Sequence, residues 1–163
     1  MMEDHNQQQV DQHLLVENDS GEAIDAVHFL IICNIQKRNN VNTLIRNAFA
    51  FKFVPIIVGM PKLGEQQSCL HFERLEECKA YLQERNVPIV GIEIMAESAS
   101  ILTDPFTSSI ALMPGNEGAG LNDRQKSACD SFLYIPQYGN GTASLNVAVA
   151  TTICLQRYSL WRG

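Results

Sequence analysis

Short apolar runs alternate with helical patterns along most of this chain, and no other feature limits its fold as strongly. Residues 28–35, 53–60, 87–94, 109–113 and 132–135 are runs of strand length rich in Ile, Val, Leu and Phe. Between and after them lie segments of helical character: 42–51, 72–85 with Phe72, Leu75, Cys78 and Leu82 at helical spacing, a short 123–128, and a long terminal 144–160. Apolar strands separated by helices are covered on both faces and pair in parallel, so an α/β domain is predicted, its mostly parallel sheet flanked by helices. Pro55 lacks an N–H, which places the second strand at an edge or delays its start. Sheets of this kind bind ligands beyond the carboxyl ends of their strands. The loops after the first, fourth and fifth strands are therefore the places to look.

The terminal helix carries two apolar stripes. Leu145, Val149, Ile153 and Leu160 form one, and Val147, Thr151, Cys154, Tyr158 and Trp161 the other. A helix lying on one face of a sheet needs only one. The second stripe implies either a partner subunit or deeper burial within the monomer.

Charge is unevenly spread. The formal net charge is −6, but residues 1–25 hold seven of the 18 acids and no Lys or Arg. That segment is read as an acidic, disordered tail, and residues 26–163 as a single, nearly neutral domain. Five scattered cysteines without a CxxC argue against a disulfide framework and against a metal site. No run reaches the length of a membrane span, and the first residues lack the character of a signal or transit peptide. A soluble intracellular protein is expected, with the cytoplasm favoured.

Three loops carry polar residues suited to chemistry. The first runs from Asn34 through Asn40 and Asn42 to Arg46, whose planar guanidinium fits a phosphate. The second, 112–121, has Gly115, Gly118 and Gly120 around a single acid, Glu117; its spacing is neither the Walker nor the Rossmann pattern. The third leads from Ile135 and Pro136 to Ser144, a candidate N-cap, and Asn146 in the first turn of the terminal helix. Taken singly, each also fits a plainer reading: an Asn-rich cap, a flexible turn, a capped helix.

Taken together and in order, they resemble the three motifs of the SpoU/TrmH family of RNA 2′-O-ribose methyltransferases in the SPOUT superfamily. Asn40 and Arg46 match the first motif. Gly115, Asn116, Glu117, Gly118, Gly120 and Leu121 match the second. Ile135, Pro136 and the run from Ser144 to Ala150 match the third. The resemblance implies a SPOUT fold with a C-terminal deep trefoil knot, a homodimer with the terminal helix near its interface, and S-adenosylmethionine bound in the knot. Leu112, Met113, Pro114, Gly115, Ile135, Gln137, Ser144 and Leu145 would hold the cofactor. Arg46 would be catalytic, with Asn40, Glu117, Ser144 and Asn146 around it, and no metal would be needed. Lys37, Arg38 and Arg46 form the densest basic group and would contact RNA, with tRNA favoured over rRNA because no appended RNA-binding domain is evident. A non-catalytic RNA-binding or partner subunit of the same fold is the alternative. One departure stands out: Asn42 occupies a position where the family usually has Gly, and Asn is expected to serve there as a substitute for a residue with positive φ.

Overall fold

The computed structural model describes residues 28–61, 69–107, 109–141 and 144–163, together with the backbone of two short strands, β1 (Val16–Glu17) and β2 (Ala23–Ile24). These two pair antiparallel within the acidic segment; the rest of that segment lies outside the described residues. The main chain then runs through β3 (His28–Cys33), α1 (Arg38–Ala50), β4 (Val54–Val58), β5 (Leu70–Phe72), α2 (Leu75–Glu84), β6 (Ile89–Ile92) and β7 (Ala99–Ser100). It continues through β8 (Ile110–Pro114), α3 (Asp123–Ala128), β9 (Ser131–Tyr134) and α4 (Val147–Arg162).

Strands β3 to β9 form one seven-stranded sheet in the order β5-β4-β3-β8-β6-β9-β7, and every pairing in it is parallel. The later strands are interleaved with earlier ones: β8 inserts between β3 and β6, and β9 between β6 and β7. The carboxyl ends of β3, β8, β6 and β9 are thereby brought side by side.

Alternation along each strand divides the core in two. Leu30 and Ile32 of β3 and Leu112 of β8 join α1 and α4 through Leu44, Ile45, Cys154, Leu155 and Tyr158. Phe29, Ile31 and Met113 point the other way, to Leu75, Cys78 and Leu82 of α2 and Ala128 of α3. A parallel sheet with both faces covered requires this arrangement, and it explains why its strands read as unbroken apolar runs.

Several boundaries differ from the sequence expectation. Helix α1 starts at Arg38 rather than residue 42. Asn42 therefore lies inside a helix, and the left-handed residue of this region is Asn34, with φ 60°; the glycine-substitute role assigned to Asn42 does not hold. Strand β4 is interior to the sheet, yet Pro55 precedes Ile56, the first residue paired with β5, so the missing N–H costs little. The terminal helix begins at Val147, and its N-cap is Asn146, not Ser144.

On α4 the stripe through Thr151, Cys154 and Tyr158 is buried against the sheet and α1. The other stripe is not covered: Leu145, Val149, Ile153 and Leu160 are 37, 50, 38 and 64% exposed. Deeper burial within the monomer is thus not what the second stripe serves. At the amino end of the sheet, the Tyr158 hydroxyl meets Nδ1 of His28 at 2.9 Å and donates to the Thr107 carbonyl at 3.4 Å. The rings of Phe53, Phe106 and Trp161 surround this pair. Nε2 of His28 is buried without a partner among the described residues. Burial, assisted by the Arg162 charge, pushes the His28 pKa from 6.5 down to about 4. No helix among the described residues is long and apolar enough to cross a membrane.

Candidate functional site

The loop after β8 is a tight hairpin closed by paired backbone hydrogen bonds between Asn116 and Gly120 of 2.9 and 3.0 Å. Its glycines are steric requirements at two places. A Cβ on Gly115 would fall 2.5 Å from the Gly120 carbonyl carbon and 2.6 Å from the Leu121 nitrogen. Gly120 itself has φ +70°, a conformation side chains resist. The Asn116 side chain fastens the turn from within, accepting from the N–H groups of Gly118 and Ala119 at 3.0 and 3.1 Å. Its Nδ2 donates outward to the Asn34 carbonyl at 2.8 Å.

Glu117 makes the second link between the loops. Helix α1 has no side-chain cap from its own N-cap residue, Lys37, and no acid in its first turn. The Glu117 carboxylate supplies both from 80 residues away: Oε1 accepts from the Gln36 N–H at 3.0 Å and Oε2 from the Lys37 N–H at 2.7 Å. Negative charge at a helix N-terminus is favourable. Desolvation pushes the Glu117 pKa up. The N–H groups of Lys37 and Gln36, its own backbone and the Asn40 amide together outweigh that, and the net shift is downward. Asn40 is buried, and its Oδ1 accepts from Nδ2 of Asn146 at 3.3 Å. Asn146 in turn caps α4, accepting from the N–H groups of Ala148 and Val149 at 2.9 and 3.2 Å. Glu117 thus ties the second loop to the start of α1, and Asn146 ties the third to Asn40 of the same helix, so that all three loops the sequence singled out are joined.

Beside these links lies a cavity of about 270 Å³ at the carboxyl ends of β8, β6 and β9. Six of the expected cofactor residues line it: Pro114, Gly115, Ile135, Gln137, Ser144 and Leu145; Glu117 lines it too. Leu112 and Met113 do not. Their side chains are fully buried in the two opposite cores. Sequence reasoning missed Glu93, with its neighbours Ile92 and Ile94, and Tyr134, Val147 and Ala150. Asn40 and Asn146 are not among the residues that line it. Arg46, with Lys37 and Arg38, is exposed, and among the described residues its side chain has no hydrogen bond or ion pair. The eight-residue spacing of Arg38 and Arg46 puts them on one face of α1. No group of three or more potential metal ligands occurs among the described residues.

The comparisons with known proteins agree with this geometry. Residues 28–156 match the SpoU rRNA Methylase family. The chain is 32% identical over 140 residues to the 23S rRNA (guanosine-2′-O-)-methyltransferase RlmB of Coxiella burnetii, a match covering 77% of this chain and 55% of that protein. It is 30% identical over 159 residues to RlmB of Shewanella oneidensis, covering 87% of this chain and 64% of the relative. The chain thus spans less than two thirds of the length of these relatives. Among solved structures, the SpoU methyltransferase AviRb from Streptomyces viridochromogenes superposes with a TM-score of 0.73 at 21% identity, covering 94% of this chain and 63% of that one. The A. aeolicus TrmH/SpoU tRNA modifying enzyme superposes at 0.69 with 19% identity, covering 99% and 85%. By its three linked motifs, its fold and the match over most of its length, the chain belongs to the SpoU family.

Proposed function

We propose that this protein transfers a methyl group from S-adenosylmethionine to a ribose 2′-hydroxyl of RNA, with its terminal segment threaded in the knot typical of the family. The observation that carries the reading is the joining of the three motif loops, Glu117 to the start of α1 and Asn146 to Asn40, beside a cavity where apolar walls (Ile92, Pro114, Ile135, Val147) meet a few polar groups (Glu93, Gln137, Ser144). Such a lining suits a nucleoside with a polar tail, and its volume is near the lower end of small-molecule sites, which run from roughly 300 Å³ upward. AviRb, of the same fold, has a solved complex with AdoMet. When bound, this donor supplies an electrophilic methyl group on a sulfonium.

The chain's own residues have distinct parts. Glu117 is a poor general base, because its ionised form is held by two backbone N–H groups and the Asn40 amide. Its part is to fix the start of α1 against the loop that floors the cavity. Arg46 presents a planar fork of N–H donors. From its exposed face of α1 it clamps the phosphate beside the target ribose and stabilises negative charge developing on the attacking oxygen. Lys37 and Arg38 extend that contact along the RNA backbone.

The expectation of a tRNA substrate rested on a lone, nearly neutral domain with no appended RNA-binding domain evident. The curated relatives at about 30% identity are named for 23S rRNA, and we favour rRNA. The exposed stripe on α4 supports a homodimer. The test is transfer of tritium from labelled S-adenosylmethionine to rRNA and tRNA that lack 2′-O-methylation. Incorporation into rRNA is expected. Incorporation into tRNA alone would overturn the substrate class. Donor and RNA binding without transfer would establish the non-catalytic alternative.

A further inference from the structure

We infer that Glu93 is the group that recognises the ribose diol of the donor's adenosine, an inference that rests on the donor-binding reading above. Glu93 follows β6 directly and is fixed on every side but one. Its N–H donates to the Leu133 carbonyl at 3.0 Å, which continues the pairing of β6 with β9. Its carbonyl accepts from the Ser98 hydroxyl at 2.6 Å. In the side chain, Oε2 accepts from the Leu121 N–H at 2.7 Å. The carboxylate also lies against the Cα of Gly120, so closely that a Cβ there would overlap it. Oε1 has no partner among the described residues, and Glu93 lines the cavity.

The rest of the lining makes this oxygen decisive. It holds two carboxylates and no Lys, Arg or His. Glu117 is committed to Gln36, Lys37 and Asn40. Glu93 is therefore the charged group with acceptor capacity left for a ligand. Ile92, Ile94, Tyr134 and Ile135 share the lining with it, apolar surface fit for a flat base, and the sugar is the part of a nucleoside attached directly to that base. An acid at the end of a parallel strand, held rigid, accepts from ribose hydroxyls in dinucleotide-binding sheets for the same geometric reason. Two carboxylates without a cation also disfavour nucleotides that carry phosphate in place of the sulfonium tail.

The test is calorimetric titration of the full chain with S-adenosylhomocysteine and with its 2′-deoxy and 3′-deoxy analogues, for wild type and Glu93→Gln. The glutamine keeps the shape of the side chain and an oxygen for the Leu121 N–H. Wild type should bind the parent ligand at least about tenfold more tightly than one of the deoxy analogues, the scale of a hydrogen bond to a charged group. Glu93→Gln should lose that preference by weakening the parent ligand while scarcely affecting that analogue. A wild type indifferent to both hydroxyls overturns the proposal without need of any variant. Equal weakening of all three ligands also overturns it: Glu93 then acts only through Leu121, or on the amino-acid tail if adenosine itself binds both proteins alike. A wild type that binds none of the ligands overturns the donor-site reading itself.

Discussion

Glu117→Gln tests whether one loop holds the helix of another. In the wild type the carboxylate caps α1 with two N–H contacts of 3.0 and 2.7 Å, and that helix has no cap or first-turn acid of its own. Losing an N-cap typically costs 0.5–2 kcal/mol, and losing a negative charge at a helix start about 0.3–1 kcal/mol. The glutamine oxygen retains one of the two contacts, and the partly exposed site is screened by solvent. We therefore expect a loss of about 1–2 kcal/mol, or roughly 3–6 °C in Tm for a chain of this size. The pH dependence identifies the cause. The fold lowers the Glu117 pKa from its ordinary 4.5, so the ionised carboxylate contributes its full stability above 4.5 and loses it as pH falls through the lowered value. Urea denaturation of both proteins should show the full difference at pH 7 and a shrinking one below pH 4.5. Hydrogen exchange should show the Gln36 and Lys37 amides losing protection in the variant. A difference that is absent at pH 7, or that persists unchanged into acid, would refute the reasoning.

Three further outcomes follow from the same geometry. His28 is held neutral in the fold, its pKa lowered from 6.5 to about 4, so its contribution is complete above pH 6.5 and fades as pH falls toward 4; wild type should lose about 3 kcal/mol relative to His28→Leu over that window, and a difference independent of pH in urea denaturation would contradict it. Arg46→Ala should abolish methyl transfer while leaving donor affinity by calorimetry within several-fold, because the exposed Arg46 does not line the cavity; normal turnover would remove Arg46 from the mechanism. Ile153→Glu places a charge in the uncovered stripe of α4, and should convert a dimer to a folded monomer in analytical ultracentrifugation; an unchanged sedimentation coefficient would place the subunit contact elsewhere.

Much of this architecture is legible in the sequence because its strands are buried on both faces and therefore unbroken apolar runs. Strands β5 and β7 escape notice: three and two residues carry no period, and they pair only because β4 and β9 offer open edges. The start of α1 is hidden for another reason. Arg38, Asn39 and Asn40 are an unpersuasive helix opening alone, and the carboxylate that completes it comes from 80 residues downstream. Ser144 and Asn146 are both good N-cap types two residues apart, and the path of the chain decides for Asn146, which frees Ser144 to line the cavity. The motif residues identify the linked site, but Leu112 and Met113 share their segment without facing the cavity. Glu93 belongs to no motif. Its one trace in the sequence is an acid set between Ile92 and Ile94 at the end of a buried strand, where a charge needs a reason.

The chemical position of the methyl group tests the central claim most directly. RNA treated with the protein and labelled donor is hydrolysed in alkali, which needs a 2′-hydroxyl to cleave the adjacent phosphodiester. Transfer to the ribose predicts label in alkali-resistant dinucleotides that yield a 2′-O-methylnucleoside after nuclease and phosphatase digestion. Label recovered in mononucleotides as a methylated base would contradict the account.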